Sequence, residues 1–216
     1  MERTLTEIED NDVNGSSFSE VAVASGRDGH VRQVVPVHHQ VPAGGQDHHG
    51  ERVMTGRDPA TARTNIVSRV GTWNVNTLGQ AGKFENLKRE ADRMKVDIMG
   101  VSEVRWTGVG QVEDEHWKFF YSGGETHYGG VGILVRKEVA AAVSTWWPVN
   151  DRIIYLKIQG SPININIIQV YAPTTDHGDD ELEELYQKLD GVRAQAKSHE
   201  INLVMGDLNA KIGEGR

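Results

Sequence analysis

The stretch IVSRVGTWNVNTLGQAGKFENLKREADRMKVDIMGV, residues 66–101, decides the fold. Ile66 to Val75 is a β-rich run that ends in Asn-Val-Asn, and such a run bounded by turn residues reads as a strand. Gly79 and Gly82 mark the turn that follows. Phe84, Leu87, Ala91 and Met94 then recur at helical spacing with charged residues between them, which predicts an amphipathic helix. Val96 to Val101 closes the unit as a short, mostly apolar strand.

The same alternation continues toward the C-terminus. Trp117 to Tyr121 and Val131 to Val135 read as strands, with the glycine pairs Gly123-Gly124 and Gly129-Gly130 as turns. Ile153 to Ile158 and the alternating Ile163, Ile165 and Ile167 predict a hairpin around Gly160-Ser161-Pro162. Leu182, Leu185, Leu189 and Val192 predict a second amphipathic helix, and the acidic cluster from Asp179 to Glu184 suits its N-terminal dipole. Ile201 to Met205 is a last buried strand running into Gly-Asp-Leu-Asn. The order calls for an α/β domain in which helices cover a mixed sheet.

Toward the N-terminus the pattern stops. From Met1 to Thr64 no period of two or 3.6 is sustained, so residues 1–64 are expected to be a disordered tail ahead of a domain at 65–216. The pairs His38/His39 and His48/His49 point apart in an extended chain and lack a fixed carboxylate or thiolate partner. The whole chain of 216 residues has no cysteine, which excludes a disulfide scaffold, a thiolate zinc site and a cysteine nucleophile. Its formal charge of −8 argues against a basic coat for nucleic acid, so a polyanion partner must be held locally, by a site or a metal. No apolar run reaches the ~18 residues of a membrane span and no secretory h-region opens the chain, so no membrane partner and an intracellular setting are expected.

The chemistry is expected at four strand ends: Trp73-Asn74-Val75-Asn76, Ser102-Glu103-Val104-Arg105, Tyr171-Ala172-Pro173-Thr174 and Gly206-Asp207-Leu208-Asn209. Singly, each is a turn or a solvated loop. Together they bring two carboxylates, three carboxamides and a phenol to the ends of apolar strands, and they converge if those strands share a direction. Oxygen donors without cysteine select Mg²⁺, Mn²⁺ or Ca²⁺, and Mg²⁺ takes one or two carboxylates plus water and phosphate. An Asp-x-Asn pair can orient an attacking water while a cation neutralises a phosphate. Metal-assisted phosphodiester hydrolysis is therefore the expected reaction.

Six motifs in order carry a family resemblance: Gly-Thr-Trp-Asn-Val-Asn (71–76), Ser-Glu-Val-Arg-Trp (102–106), Gly-Gly-Val-Gly-Ile-Leu (129–134), Asn-Asp-Arg-Ile-Ile (150–154), Val-Tyr-Ala-Pro-Thr (170–174) and Gly-Asp-Leu-Asn-Ala (206–210). Through them the chain resembles the endonuclease/exonuclease/phosphatase superfamily over Val70 to Arg216. More closely it is similar to the craniofacial development protein 2-like group, itself similar to the apurinic-type endonuclease domains of non-LTR retrotransposons. The resemblance implies a DNase-I-like α/β sandwich using Mg²⁺, with Mn²⁺ as a substitute, to cut DNA. It implies Glu103 as the metal-binding glutamate and Asn76 as a neutral residue where an aspartate is common. Asn74 matches the asparagine that supports the centre. Asp207 and Asn209 match the pair that positions water and phosphate, Tyr171 the tyrosine that bonds phosphate, and Arg152 a strand arginine that either reaches phosphate or forms a structural ion pair. Trp106, Trp146 and Trp147 are core-packing or DNA-stacking residues, and His127 and His177 are loop histidines. The terminal Ser-Asp-His of the family does not occur before Arg216, so the domain is expected to be incomplete at its C-terminus. That leaves an inactive interaction module or retroelement remnant as the alternative, and a phosphatase of phosphoinositides or small nucleotides as the second enzymatic reading.

Overall fold

The computed structural model describes residues 64–174, 179–197 and 199–209 and the strand segments 23–24 and 34–41; for 23–24, 34–41, 64–68 and 179 it describes the backbone. Two mixed sheets lie face to face. One has the order β2 (Val34–Val41), β3 (Thr64–Asn74), β4 (Ile98–Ser102), β7 (Val131–Arg136), β6 (Trp117–Ser122) and β5 (Val109–Glu113). The other runs β1 (Val23–Ala24), β11 (Ile201–Asp207), β10 (Ile165–Tyr171), β9 (Ile153–Ile158) and β8 (Val143–Asn150). Among the described residues there are three helices: α1 (Lys83–Arg93), α2 (Lys137–Ala140) and α3 (Asp179–Arg193).

Three apolar clusters show how the layers stack. Between the sheets, Val70, Ile98, Phe120, Ile133 and Val135 of one meet Ile154, Leu156, Ile165, Ile167, Leu203 and Met205 of the other. Leu87 and Ala91 of α1 pack on Met99, Val101, Phe119 and Leu134, the opposite face of the first sheet. Leu185, Leu189 and Val192 of α3 pack on Ile153, Ile168, Val170 and Val204, the opposite face of the second. The result is a four-layer α-β-β-α sandwich, in agreement with the expected DNase-I-like architecture.

Helix α1 follows its sequence signals closely. Leu87 and Ala91, four residues apart, are its buried stripe. Glu85 in the first turn and Arg93 in the last suit the helix dipole. Its end is a Schellman turn: Lys95 is left-handed at φ 54, its N–H donates to the Asp92 carbonyl at 3.0 Å, and the Val96 N–H donates to the Ala91 carbonyl at 2.9 Å. The chain is thereby aimed into β4, buried at all five positions. The expected hairpin is present, with Ile158 opposite Ile165 in the antiparallel pair of β9 and β10.

Two features depart from the sequence reading. The alternation from Ile163 is replaced by a strand buried at all seven positions of β10, because one face meets the opposing sheet and the other meets α3; Ile163 lies outside it and is exposed. β5 and β8 are additional strands at the outer ends of the two sheets, as is the short helix α2 after β7. Within the stretch expected as a tail, residues 34–41 run antiparallel to β3, from Val34 opposite Gly71 to Val41 opposite Thr64, and residues 23–24 pair with β11. The rest of residues 1–63, with His48 and His49, lies outside the described residues. No helix among the described residues is long and apolar enough to cross a membrane.

A buried polar cluster pins the start of β11. The Glu200 side chain is 1% exposed and accepts hydrogen bonds from Lys157 Nζ at 2.6 Å, Asn164 Nδ2 at 3.0 Å, Asn166 Nδ2 at 3.0 Å and the Lys197 N–H at 3.2 Å. Burial alone pushes this carboxyl up, but the Lys157 bond and the three N–H donors outweigh it and hold it at about 2. A depressed folded value stabilises above the unfolded value of ~4.3, and that stability is lost as pH falls toward the folded one. Glu200→Gln should therefore cost about 3 kcal/mol at neutral pH by urea unfolding. The difference from the parent should shrink between pH ~4 and pH ~2.

Candidate active site

The strand directions bring the four expected ends together. β3 and β4 are parallel with Asn74 opposite Ser102, and β10 and β11 are parallel with Tyr171 opposite Asp207. Glu103 and Asp207 thus arrive from different sheets at one edge of the sandwich. Asn74 joins them: its Nδ2 donates to Glu103 Oε1 at 2.8 Å and to Asp207 Oδ2 at 2.9 Å. The amide is oriented by its other end, since Asn74 Oδ1 accepts the Asn76 N–H at 3.0 Å in an Asx turn. Asp207 and Asn74 are buried, and Glu103 is half-buried.

The loops that follow the strands are laced to one another. Glu103, Arg105, Asn76 and Asn209 all take left-handed backbone, φ 57, 55, 48 and 45, a conformation that non-glycine residues hold when their surroundings demand it. The Thr77 N–H donates to the Glu103 carbonyl at 2.9 Å, and the N–H groups of Val104 and Arg105 donate to the carbonyls of Gly130 and Gly129 at 3.1 and 2.8 Å. Gly130 is required there: its φ is +84, and a Cβ would sit 3.2 Å from the Arg105 nitrogen. On the other sheet, Asp207 Oδ1 accepts the Asn209 N–H at 3.2 Å, and Asn209 Nδ2 donates to the Ala172 carbonyl at 2.7 Å.

Glu103 is also the electrostatic centre of the site. Arg105 Nη2 donates to its Oε2 at 2.7 Å, and the Tyr171 hydroxyl donates to its Oε1 at 3.3 Å. Burial pushes the Glu103 carboxyl up, but the donors Asn74 and Arg105, the Arg105 charge and Tyr171 outweigh it and hold it below the usual carboxylate range. Burial, then the nearby Glu103 charge, push Tyr171 up to about 12, so its hydroxyl keeps its proton at neutral pH.

A cavity of about 580 Å³ opens over these groups, lined by Trp73, Asn74, Val75, Asn76, Lys83, Glu103, Arg105, Thr174, Asp207 and Asn209. Asn74, Asn76, Glu103, Asp207 and Asn209 therefore share one cavity, and Tyr171 reaches it through Glu103. Arg152 stands apart, absent from the lining, with its guanidinium over the Tyr171 ring at 5.4 Å and Nη2 3.9 Å from Glu181. Trp106 packs against Phe84, Phe119 and Tyr121, and Trp146 against Phe120. His127 sits in the exposed loop with Nδ1 3.0 Å from the Arg105 carbonyl. His177 lies outside the described residues.

Sequence reasoning missed Arg105 and Lys83. Arg105 had a signal, its place two residues after Glu103 within a quoted motif. Lys83 had none, because its place follows from where α1 begins relative to the cavity.

The donor set suits a hard cation. Two carboxylates and three carboxamides offer oxygen alone, and no group of three or more His, Cys, Asp or Glu gathers among the described residues. Hard divalent cations take oxygen donors of this kind.

Residues 71–215 match the family described as Endonuclease/Exonuclease/phosphatase, a span that contains all six motifs. Craniofacial development protein 2 from Tragulus javanicus is 36% identical over 145 residues, 67% of this chain and 25% of that protein. The Bos taurus protein of that name is 35% identical over 145 residues, 67% of this chain and 24% of its own. The chain thus spans about a quarter of the length of these curated relatives. Among solved structures, the AP endonuclease LMAP of Leishmania major aligns at TM-score 0.49 and 15% identity, covering 66% of this chain and 55% of that one. The endonuclease domain of TRAS1, a telomere-specific non-LTR retrotransposon, aligns at 0.48 and 20%, covering 67% and 60%.

Removing the Asn74 amide leaves two carboxylates without their shared donor. Asn74→Leu should destabilise the protein by ~2–3 kcal/mol at neutral pH, the scale of hydrogen bonds to charged groups. Because the folded Glu103 value is depressed, the loss should be full above pH ~4.3 and shrink as pH falls below it. Urea denaturation of parent and variant across that range measures both.

Proposed function

The chain belongs to the Endonuclease/Exonuclease/phosphatase family, and from that premise we propose that it is a Mg²⁺-dependent phosphodiesterase that acts as an endonuclease on DNA. The observation that carries the reading is the Asn74 amide bonded to both Glu103 and Asp207 in one cavity. Glu103, with the Asn76 carboxamide beside it, would hold the cation, and Mn²⁺ would serve in its place. When bound, the cation neutralises charge on the phosphate and favours ionisation of water.

The chain's own groups supply the rest. Asp207, fixed by Asn74 and by the Asn209 N–H, accepts a proton from water as the water oxygen attacks phosphorus. The phosphorus–oxygen bond to the leaving sugar oxygen breaks, and that oxygen takes a proton from solvent. Tyr171, protonated at neutral pH, has a hydroxyl free to turn from Glu103 to a phosphate oxygen. Asn209 holds Asp207 through its backbone N–H, while its side-chain amide donates to the Ala172 carbonyl. Arg152 supports Tyr171 from behind its ring, which gives it a supporting rather than a direct role with substrate.

Nicking of supercoiled plasmid by the purified chain tests this. Nicking should require Mg²⁺ and stop with EDTA, and Glu103→Ala and Asp207→Ala should each reduce it by ~10²-fold or more. A cooperatively folded protein that nicks equally well with both substitutions contradicts the proposal. Hydrolysis of phosphoinositides or nucleotides without nicking moves the assignment to a phosphatase. A folded protein that does neither supports the inactive reading.

A further inference from the structure

The layer between the sheets changes character along the strands. At one end it is apolar: Val70, Ile98, Ile165 and Leu203. At the other end are Asn74, Glu103, Tyr171 and Asp207. One step beneath that site lie Thr72, Gln169 and Met205, each two residues back along its strand, and Gly100, three residues before Glu103. Here a buried glutamine crosses from one sheet to the other. Gln169 Nε2 donates to Ser102 Oγ at 2.9 Å, and its Oε1 accepts from Thr72 Oγ1 at 3.4 Å. Gln169, Ser102 and Thr72 are each 0% exposed.

The three bonded residues are neighbours of the site on the strands that deliver it. Thr72 precedes Asn74 by two residues on β3, Ser102 immediately precedes Glu103 on β4, and Gln169 precedes Tyr171 by two on β10. Gly100 makes the bridge possible, because a Cβ there would lie 1.9 Å from Gln169 Oε1 and 2.8 Å from the Met205 methyl. A buried polar side chain in an apolar interface needs its partners, and these partners fix the height of β10 against β3 and β4. An apolar side chain could fill the same space, but it would not set that register.

We infer that Gln169 is a positioning residue: by tying Ser102 and Thr72 across the sandwich, it sets the distance over which Asn74 reaches both Glu103 and Asp207. The inference rests on the hydrolytic reading for its kinetic consequence alone; the Asn74 contact exists whether or not the protein hydrolyses anything. A site loosened by a fraction of an ångström loses rate rather than ground-state affinity.

The test compares the full chain with Gln169→Met, which keeps the length and removes both hydrogen bonds. The direct readout is the Asn74 side-chain amide in a nitrogen–proton correlation spectrum, where donation to two carboxylates should give slowly exchanging protons. In Gln169→Met those protons should exchange ~10-fold faster, while backbone amides of Ile167 and Leu203 keep their protection. If plasmid nicking is present, kcat should fall ~10-fold with KM unchanged. Ser102→Ala, which removes a single oxygen, is the second variant in case the first does not fold, and the same faster exchange is expected. Unaltered Asn74 protons in either folded variant overturn the inference, as does an equal loss of protection throughout the core. Absence of nicking in the parent would remove the hydrolytic reading and leave the Asn74 result to stand or fall by itself.

Discussion

One carboxamide holds together what the two sheets bring. Two carboxylates in a partly buried cleft repel each other, and each asks for hydrogen-bond donors. The Asn74 NH₂ has two protons and gives one to each, with its carbonyl engaged by the Asn76 N–H so that the amide stays oriented. The rest of the architecture can be understood as what this requires. Asn74 and Glu103 must leave one sheet where Asp207 and Tyr171 leave the other, which the two parallel pairs accomplish. The chain must then turn at once, which it does through left-handed residues at Glu103, Arg105, Asn76 and Asn209.

The layering serves the same end. The outer faces of both sheets are covered by α1 and α3, so the inner layer is free to grade from apolar to polar along the strands. Burying Gln169, Thr72 and Ser102 adds no hydrophobic stabilisation, and their mutual bonds offset the cost of desolvation. Such a buried polar tier fixes register where a greasy one would tolerate sliding. The Glu200 cluster fixes the other end of the second sheet with charged and amide groups from Lys157, Asn164 and Asn166. The second sheet is thus pinned by polar contacts at both ends of β10 and β11.

Much of this is legible in the sequence, for physical reasons. α1 shows itself because it has one buried stripe, the strands β6, β7, β9 and β11 because apolar runs meet glycine or asparagine at their ends, and β4 because its short apolar run is bounded by Asp97 and Glu103. The candidate site residues stand out as a set, because four apolar strands each end in polar side chains that taken singly would be turn formers or solvated loop residues. β5 escapes because it is an edge strand with exposed Val109 and Val112, and β8 because its two tryptophans and a proline carry no alternation. The β10 pattern misleads because a strand covered on both faces has no period of two. Gln169 and Gly100 escape because a polar residue and a glycine inside apolar strands look like interruptions until the opposite sheet is seen. Arg152 reads from its motif as either a phosphate contact or a structural ion-pair partner, and the packing of its guanidinium on Tyr171 is visible in three dimensions alone.

The central proposal is that the Asn74 clamp fixes Glu103, which with Asn76 would hold one divalent cation, beside Asp207 as the proton acceptor. Calorimetric titration of Mg²⁺ and Mn²⁺ into the metal-free full chain, into Glu103→Gln and into Arg152→Ala measures this without recourse to activity. The account predicts a single site that is lost in Glu103→Gln and kept in Arg152→Ala. Binding that survives Glu103→Gln, or a folded parent that takes up neither ion, would contradict it.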